Sequence, residues 1–200
     1  MLLTYDPIQP PSSQEGHGER RLHFYDRGEE IPLVSEGVWQ VYRGIAQLSQ
    51  LTPQGDDILL GWAQPSTFFG LWLTYIETYQ AKALSEVYLK WYPLTEIETS
   101  PQLAQQVLSK VVQRMRQTEA LLAIAGLKRV EDRLQQLLSL LKQEMGEPIE
   151  EGTRLKVRLT HQNLASAIGT TRVTITRLLG EFQRQGWLII DSDRHICFKD

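Results

Sequence analysis

The sequence predicts an α+β fold in three consecutive parts: an antiparallel β segment rolled on itself, a long amphipathic helix, and a C-terminal unit of two short helices followed by a hairpin. Three observations carry this expectation. Between Leu22 and about Trp91, short apolar segments alternate with turn signals. Beyond Pro101 the apolar spacing becomes helical, and beyond Gly152 two helical patterns with threonine caps precede a strand–turn–strand pattern.

Residues 1–20 are rich in Pro, Ser, Gly, Gln and Glu and read as a flexible tail. Residues 21–100 form the β-roll. Its turn signals are Arg27-Gly28, Ser35-Glu36-Gly37, Arg43-Gly44, Pro53 to Asp56 and Gln64-Pro65-Ser66, and its strands are Val38–Tyr42, Ile45–Leu51, Ile58–Ala63 and Leu84–Trp91. Residues 101–128 form the long helix. Ala104, Leu108, Val111, Met115, Thr118, Leu122 and Ala125 recur at alternating intervals of four and three, a seam that needs a partner helix. The plainest supplier is a second copy of the chain, so Leu108, Val111, Met115, Thr118, Leu122 and Ala125 are expected at a homodimer interface. Leu103, Val107, Leu121 and Ile124 widen the stripe enough to pack on the chain's own β segment as well. After a bend at Gly126, Val130, Leu134, Leu137, Leu138, Leu141 and Met145 mark another amphipathic helix ending at Gly146. Residues 129–200 make up the last domain, within which the acidic stretch Gly146–Gly152 reads as a linker.

Charge follows this division. The 200 residues carry net −3, but residues 1–150 hold 13 Lys/Arg against 19 Asp/Glu, whereas residues 151–200 hold 8 against 5. Between Thr153 and Arg184 Glu181 is the only acid, a local reversal of sign that suits a polyanion partner. A single cysteine, Cys197, the lack of a basic, apolar leader and the lack of a membrane-length apolar run point to a cytoplasmic protein with no membrane partner.

Leu155–Leu159 alternates as a short strand, Thr160 caps a helix carrying Leu164, Ala165 and Ile168, and Gly169 ends it. Thr170-Thr171 is the turn and second cap, and Val173, Ile175, Leu178, Leu179 and Phe182 follow on a helix running to about Arg184. This is the grammar of a helix-turn-helix, and Trp187–Ile190 with His195–Phe198 forms its wing. The start of the second helix in such a unit enters the major groove of double-stranded DNA. Arg172 and Arg177 can each donate two hydrogen bonds to guanine and Val173 can meet a thymine methyl, so these three are the expected base readers. Thr160, Gln162, Thr171 and Thr174 are placed to hold phosphates.

The run from Leu159 to Gly180 resembles the DNA-binding signature of the Crp/Fnr regulators, and in that motif is most similar to the cyanobacterial global nitrogen regulators. Tyr42-Arg43-Gly44 through Phe69-Gly70 resembles the family's cyclic-nucleotide-binding-like β-roll, and Gln113–Arg133 its dimer helix. The resemblance implies a homodimeric transcription regulator with an effector-binding roll, and a palindromic operator whose half-site resembles GTA. It also implies RNA polymerase or a co-regulator as a further partner. The sequence departs from the cyclic-nucleotide members, because Gly70 is followed by Leu71 rather than glutamate, and Tyr79–Ala83 lacks their phosphate-gripping arginine. Lys82 offers charge without the bidentate geometry. Glu77 and Thr78 stand where the nitrogen regulators bind 2-oxoglutarate with an arginine. Cyclic AMP is therefore not expected, and an unidentified small-molecule effector is left with Gly70, Leu71, Lys82, Lys128 and Arg129 as candidate contacts, the last two read as lying on the long helix. With one cysteine and no Cys/His pair in the roll, neither an iron–sulfur cluster nor haem is expected.

No enzyme signature emerges. His17, His23, His161 and His195 have no metal-ligand spacing, so no metal site is expected, and Asp56-Asp57 reads as turn chemistry. No P-loop, nucleophile elbow or dinucleotide fingerprint occurs. Two other functional classes fit the same elements: a protein-interaction module whose winged helix does not bind DNA, and a small-molecule-binding β-roll.

Overall fold

A computed structural model describes residues 20–199. The strands of the β segment are β1 (His23–Tyr25), β2 (Gly37–Arg43), β3 (Ala46–Leu51), β4 (Asp57–Ala63), β5 (Phe68–Phe69), β6 (Tyr79–Ala83) and β7 (Val87–Pro93). There follow α1 (Leu94–Thr99), α2 (Pro101–Ala125), α3 (Val130–Met145), β8 (Gly146–Ile149), β9 (Gly152–Leu155), α4 (His161–Ile168), α5 (Arg172–Arg184), β10 (Leu188–Ile190) and β11 (Ile196–Phe198). The fold is α+β, and the chain forms two compact units: residues 20–46 with Ala63–Val111, and Gln47–Trp62 with 112–199.

In the first unit an antiparallel sheet has the order β1-β7-β2-β5. Val38 pairs with Tyr92 and Trp39 with Trp91, and the register shifts at a bulge between Val41 and Arg43. Alternation puts Val38 and Phe68 into a core completed by Ile97 of α1 and Leu103 and Val107 of α2. Trp39, on the opposite face, stacks edge-on against Trp91 and donates its indole N–H to the Pro32 carbonyl at 2.8 Å. Ser100 takes the extended conformation that precedes proline, and its hydroxyl accepts the Leu103 amide at 3.3 Å, which separates α1 from α2.

Several expectations are corrected here. Residues 1–19 of the expected tail lie outside the described residues, but Arg20 is fixed: its guanidinium lies 4.1 Å from the Tyr92 ring centroid, pairs with Glu96 and donates to the Trp91 carbonyl. The segment read as Leu84–Trp91 starts as a strand only at Val87, because Leu84 and Ser85 bond to Ile45 and turn the chain. Val111, placed on the partner seam by spacing, packs instead against the unit's own core. The long helix stops at Ala125, so Lys128 and Arg129 stand in the turn before α3 rather than on it, Arg129 as its N-cap residue.

The second unit contains the turn Thr52–Asp56 between β3 and β4, the C-terminal half of α2, and everything after it. Gln117 is buried and accepts the Trp62 amide at 2.8 Å, while its own amide donates to Glu144 of α3. Gly146–Gly152 is not a linker. It is the hairpin β8–β9, with Glu147 opposite Arg154 and Pro148 opposite Thr153. Since β8 is the edge of a sheet ordered β10-β11-β9-β8, its proline sits where an amide on the outer side has no strand to bond. The strand read as Leu155–Leu159 accordingly ends at Leu155.

Candidate nucleic-acid interface

The helix pair is fixed by its ends. The Thr160 hydroxyl accepts the Asn163 amide at 3.1 Å, and the Asn163 side-chain oxygen accepts the Thr160 amide at 2.9 Å, a reciprocal cap at the start of α4. Gly169 ends α4 in the left-handed conformation, φ 62° and ψ 55°, which a residue without Cβ adopts at no steric cost. Thr171 then caps α5 by accepting the Thr174 amide at 3.2 Å, and the two threonine hydroxyls lie 3.0 Å apart. Leu164, Ala165 and Ile168 of α4 and Ile175, Leu178, Leu179 and Phe182 of α5 are all buried. Edge-on contacts of Trp187 with Phe182 and with Phe198 run from the end of α5 to the wing.

Packing one face of α5 leaves Arg172, Val173, Thr176 and Arg177 on the other, all exposed, Val173 at 78%. A valine so exposed contributes nothing to the chain's own core. Arg177 donates to Glu181 at 2.6 Å one turn on, which orients its guanidinium without burying it. Thr160, Gln162 and Thr171 are exposed and Thr174 half-buried, so the seven residues expected to touch DNA lie at the starts of α4 and α5 and along the open face of α5. Sequence reasoning missed two side chains. Asn163 completes the α4 cap, a signal present in the spacing Thr-x-x-Asn, and its amide also donates to buried Gln47 at 3.3 Å. His161 contacts Thr176 across the helix pair at 2.7 Å, and no sequence spacing announces that contact. Burial, and then the charge of Arg172, hold the His161 pKa below its usual value.

The wing is held by Arg154. It bonds Asp191 at 2.7 Å, Glu147 at 3.3 Å and Asp193 at 3.4 Å, joining β9 to the turn before β11 and to β8. Burial raises Asp191, but the Arg154 bond, the His195 amide and the positive charge nearby outweigh it and leave its pKa lowered.

The remaining expected site residues divide between the two units. Gly70 and Leu71 open a short 3-10 turn and Lys82 is exposed on β6, whereas Lys128 and Arg129 belong to the other unit. A cavity of about 570 Å³ in the first unit is lined by Gln40, Phe68, Gln102, Gln106 and Lys110 among others, and by none of those five. On α2, Leu108 is 63%, Met115 54% and Leu122 73% exposed, Thr118 and Ala125 are also exposed, and Val112, not Val111, continues that stripe. Among the described residues no group of three His, Cys, Asp or Glu side chains is placed to hold a metal ion, and no helix is long and apolar enough to cross a membrane.

Residues 128–200 match the family model of the Crp-like helix-turn-helix domain. The regulatory protein CysR of Synechococcus elongatus is 33% identical over 182 residues, covering 90% of this chain and 84% of that protein. The global nitrogen regulator of Synechocystis is 30% identical over 188 residues, covering 88% and 83%. In fold, a CRP/FNR-family transcriptional regulator from Thermus thermophilus superposes with a TM-score of 0.72 at 24% identity, covering 90% of this chain and 94% of that one. With helix caps, the open face of α5 and the wing in place, and this kinship extending over nine-tenths of the sequence, the chain belongs to the Crp/Fnr family of DNA-binding transcription regulators.

Proposed function

We propose that the protein acts as a homodimer on a palindromic DNA site, with Arg172, Val173 and Arg177 reading bases and Thr160, Gln162, Thr171 and Thr174 fixing the phosphates. The observation that carries this reading is the open face of α5, where two arginines and a 78%-exposed valine stand together without an intramolecular packing role. Gly180 continues that face with nothing within 4 Å of where its Cβ would be, which leaves room for close approach of a phosphate backbone. Exposed Leu108, Val112, Met115 and Leu122 form an apolar stripe along α2 that a second copy would bury. Two α5 helices about one helical turn of DNA apart, roughly 34 Å, would then face successive major grooves.

On this reading residues 21–100 serve as a sensor or interaction domain, 101–128 as the dimer helix and 129–200 as the DNA-binding domain. Binding of an effector, or of RNA polymerase or a co-regulator, to the roll would bias the orientation of the two α5 helices. The test is selection of bound duplexes from a random pool by the purified protein, with affinities of the winners measured at two salt concentrations. Enrichment of a two-fold symmetric site, with a steep salt dependence, is the expected result. Enrichment of single, asymmetric half-sites would refute the dimer. No enrichment, with or without candidate effectors, would refute sequence reading by α5.

A further inference from the structure

His161 is the first residue of α4, flanked by Thr160 and Gln162, and its imidazole crosses to α5. Its Nδ1 lies 2.7 Å from the hydroxyl oxygen of Thr176, and that hydroxyl lies 2.9 Å from the carbonyl oxygen of Arg172. A hydroxyl has one proton. Thr176 spends it on the Arg172 carbonyl, which can only accept, so the threonine oxygen must accept from the ring and the histidine proton sits on Nδ1. Protonation at Nε2 leaves that bond intact, because Nδ1 carries hydrogen in both forms. The result is a directed chain from the first residue of α4, through one side chain of α5, to the main chain of the first residue of α5.

The turn Gly169–Thr171 connects the two helices, and Ala165, Ile168, Ile175 and Leu178 are buried, but apolar burial is non-directional and permits sliding. A directed hydrogen bond at the open edge is what selects one spacing from that set. We infer that His161 is a positioning residue for DNA recognition: acting through Thr176, it sets the distance between the phosphate-holding start of α4 and the base-reading start of α5. This inference rests on the interface reading above.

The test uses the full-length protein and two duplexes, the selected symmetric site and a scrambled one. His161→Ala should weaken binding to the symmetric site by about two- to tenfold for each half-site, the worth of one neutral hydrogen bond per protomer, with at most about a twofold change on scrambled DNA. His161→Asn places an amide nitrogen near the Nδ1 position and should restore wild-type affinity, whereas His161→Gln reaches toward Nε2 and should not. Thr176→Val should resemble His161→Ala, and the double variant should be no weaker than the weaker single. Equal weakness of the Asn and Ala variants, or additive losses, would overturn the inference. Where His161→Ala is poorly folded by thermal melt, the Asn and Gln pair still decides. Arg172→Ala and Arg177→Ala separate the two levels: if neither lowers the symmetric-to-scrambled ratio, the interface reading fails and takes this inference with it, and if both do while His161→Asn fails to rescue, only the role of His161 is lost.

Discussion

Replacing Arg177 by alanine separates base reading from general attraction to DNA. Its side chain is 61% exposed and makes one ion pair, to Glu181 on the next turn of the same helix at 2.6 Å. Such exposed i,i+4 pairs contribute about 0.3–0.5 kcal/mol, so the substitution should hardly change folding stability. A bidentate contact with guanine contributes about 1–3 kcal/mol of discrimination, so affinity for the selected site should fall about 5- to 150-fold per half-site. In a symmetric site the two losses add, to about 2–6 kcal/mol, provided the half-sites act independently. Fluorescence anisotropy with the selected duplex, a duplex altered at one base pair per half-site and a scrambled duplex, each at two salt concentrations, gives the needed comparison. The variant should lose discrimination at one base position and keep most of its scrambled-DNA affinity and salt slope. Equal losses on all three duplexes, with the salt slope reduced by about two, one for each half-site, would mean that Arg177 holds a phosphate and that the assignment is wrong.

Leu108→Glu with Leu122→Glu, on side chains 63% and 73% exposed, should give a folded monomer in sedimentation velocity that no longer prefers a symmetric site, and a persisting dimer would remove the α2 seam from the interface. Gly61→Ala should lower stability by about 1–3 kcal/mol in urea unfolding, because the new Cβ would stand 2.2 Å from Gln117 Oε1 and 2.8 Å from Arg114 Nη1 at φ +141°; an unchanged midpoint would show that the amide network yields freely. Asp191 has a lowered pKa in the folded state, so it releases its proton more readily there than in the unfolded chain. Its stabilisation is fully present above the ordinary carboxylate value of 3.8 and is lost as pH falls through the folded value. Asp191→Asn should flatten the acid side of the stability–pH curve, and an unaltered acid transition would place the controlling carboxylate elsewhere.

Local chemistry made the helix pair legible. Thr160, Gly169, Thr171 and Gly186 are start and stop signals whose meaning needs no tertiary context, and α5 runs from Arg172 to Arg184 as the pattern indicated. Four strands of the β segment were legible, but β1 and β5 have only three and two residues, too few to establish a period, and β6, Tyr79–Ala83, was missed because alanine, glutamine and lysine give it little apolar contrast. Gly146–Gly152 was misread because glycine, proline and glutamate resemble a linker, yet an edge strand needs hydrogen bonds on one side only and tolerates all three. Along α2 a seam assumed at 3.5 residues put Val111 with Leu108. Val111, four residues beyond Val107, shares the face that Val107 turns to the core, and Val112, four beyond Leu108, takes the outer stripe. His161 was beyond sequence reasoning for a different reason: its partner lies fifteen positions away on another helix, and only the packed pair brings them together.

The burial of Cys197 makes the wing its own reporter. The sole thiol of the chain is 3% exposed in β11, and burial first and the neighbouring Asp191 carboxylate second raise its pKa, so both access and ionisation are suppressed while the sheet is closed. An alkylating reagent can therefore capture it only during excursions in which β11 detaches. The reaction rate, divided by that of the unfolded chain, counts those excursions directly, and comparing it with and without DNA reports whether a bound duplex restrains the hairpin that follows α5.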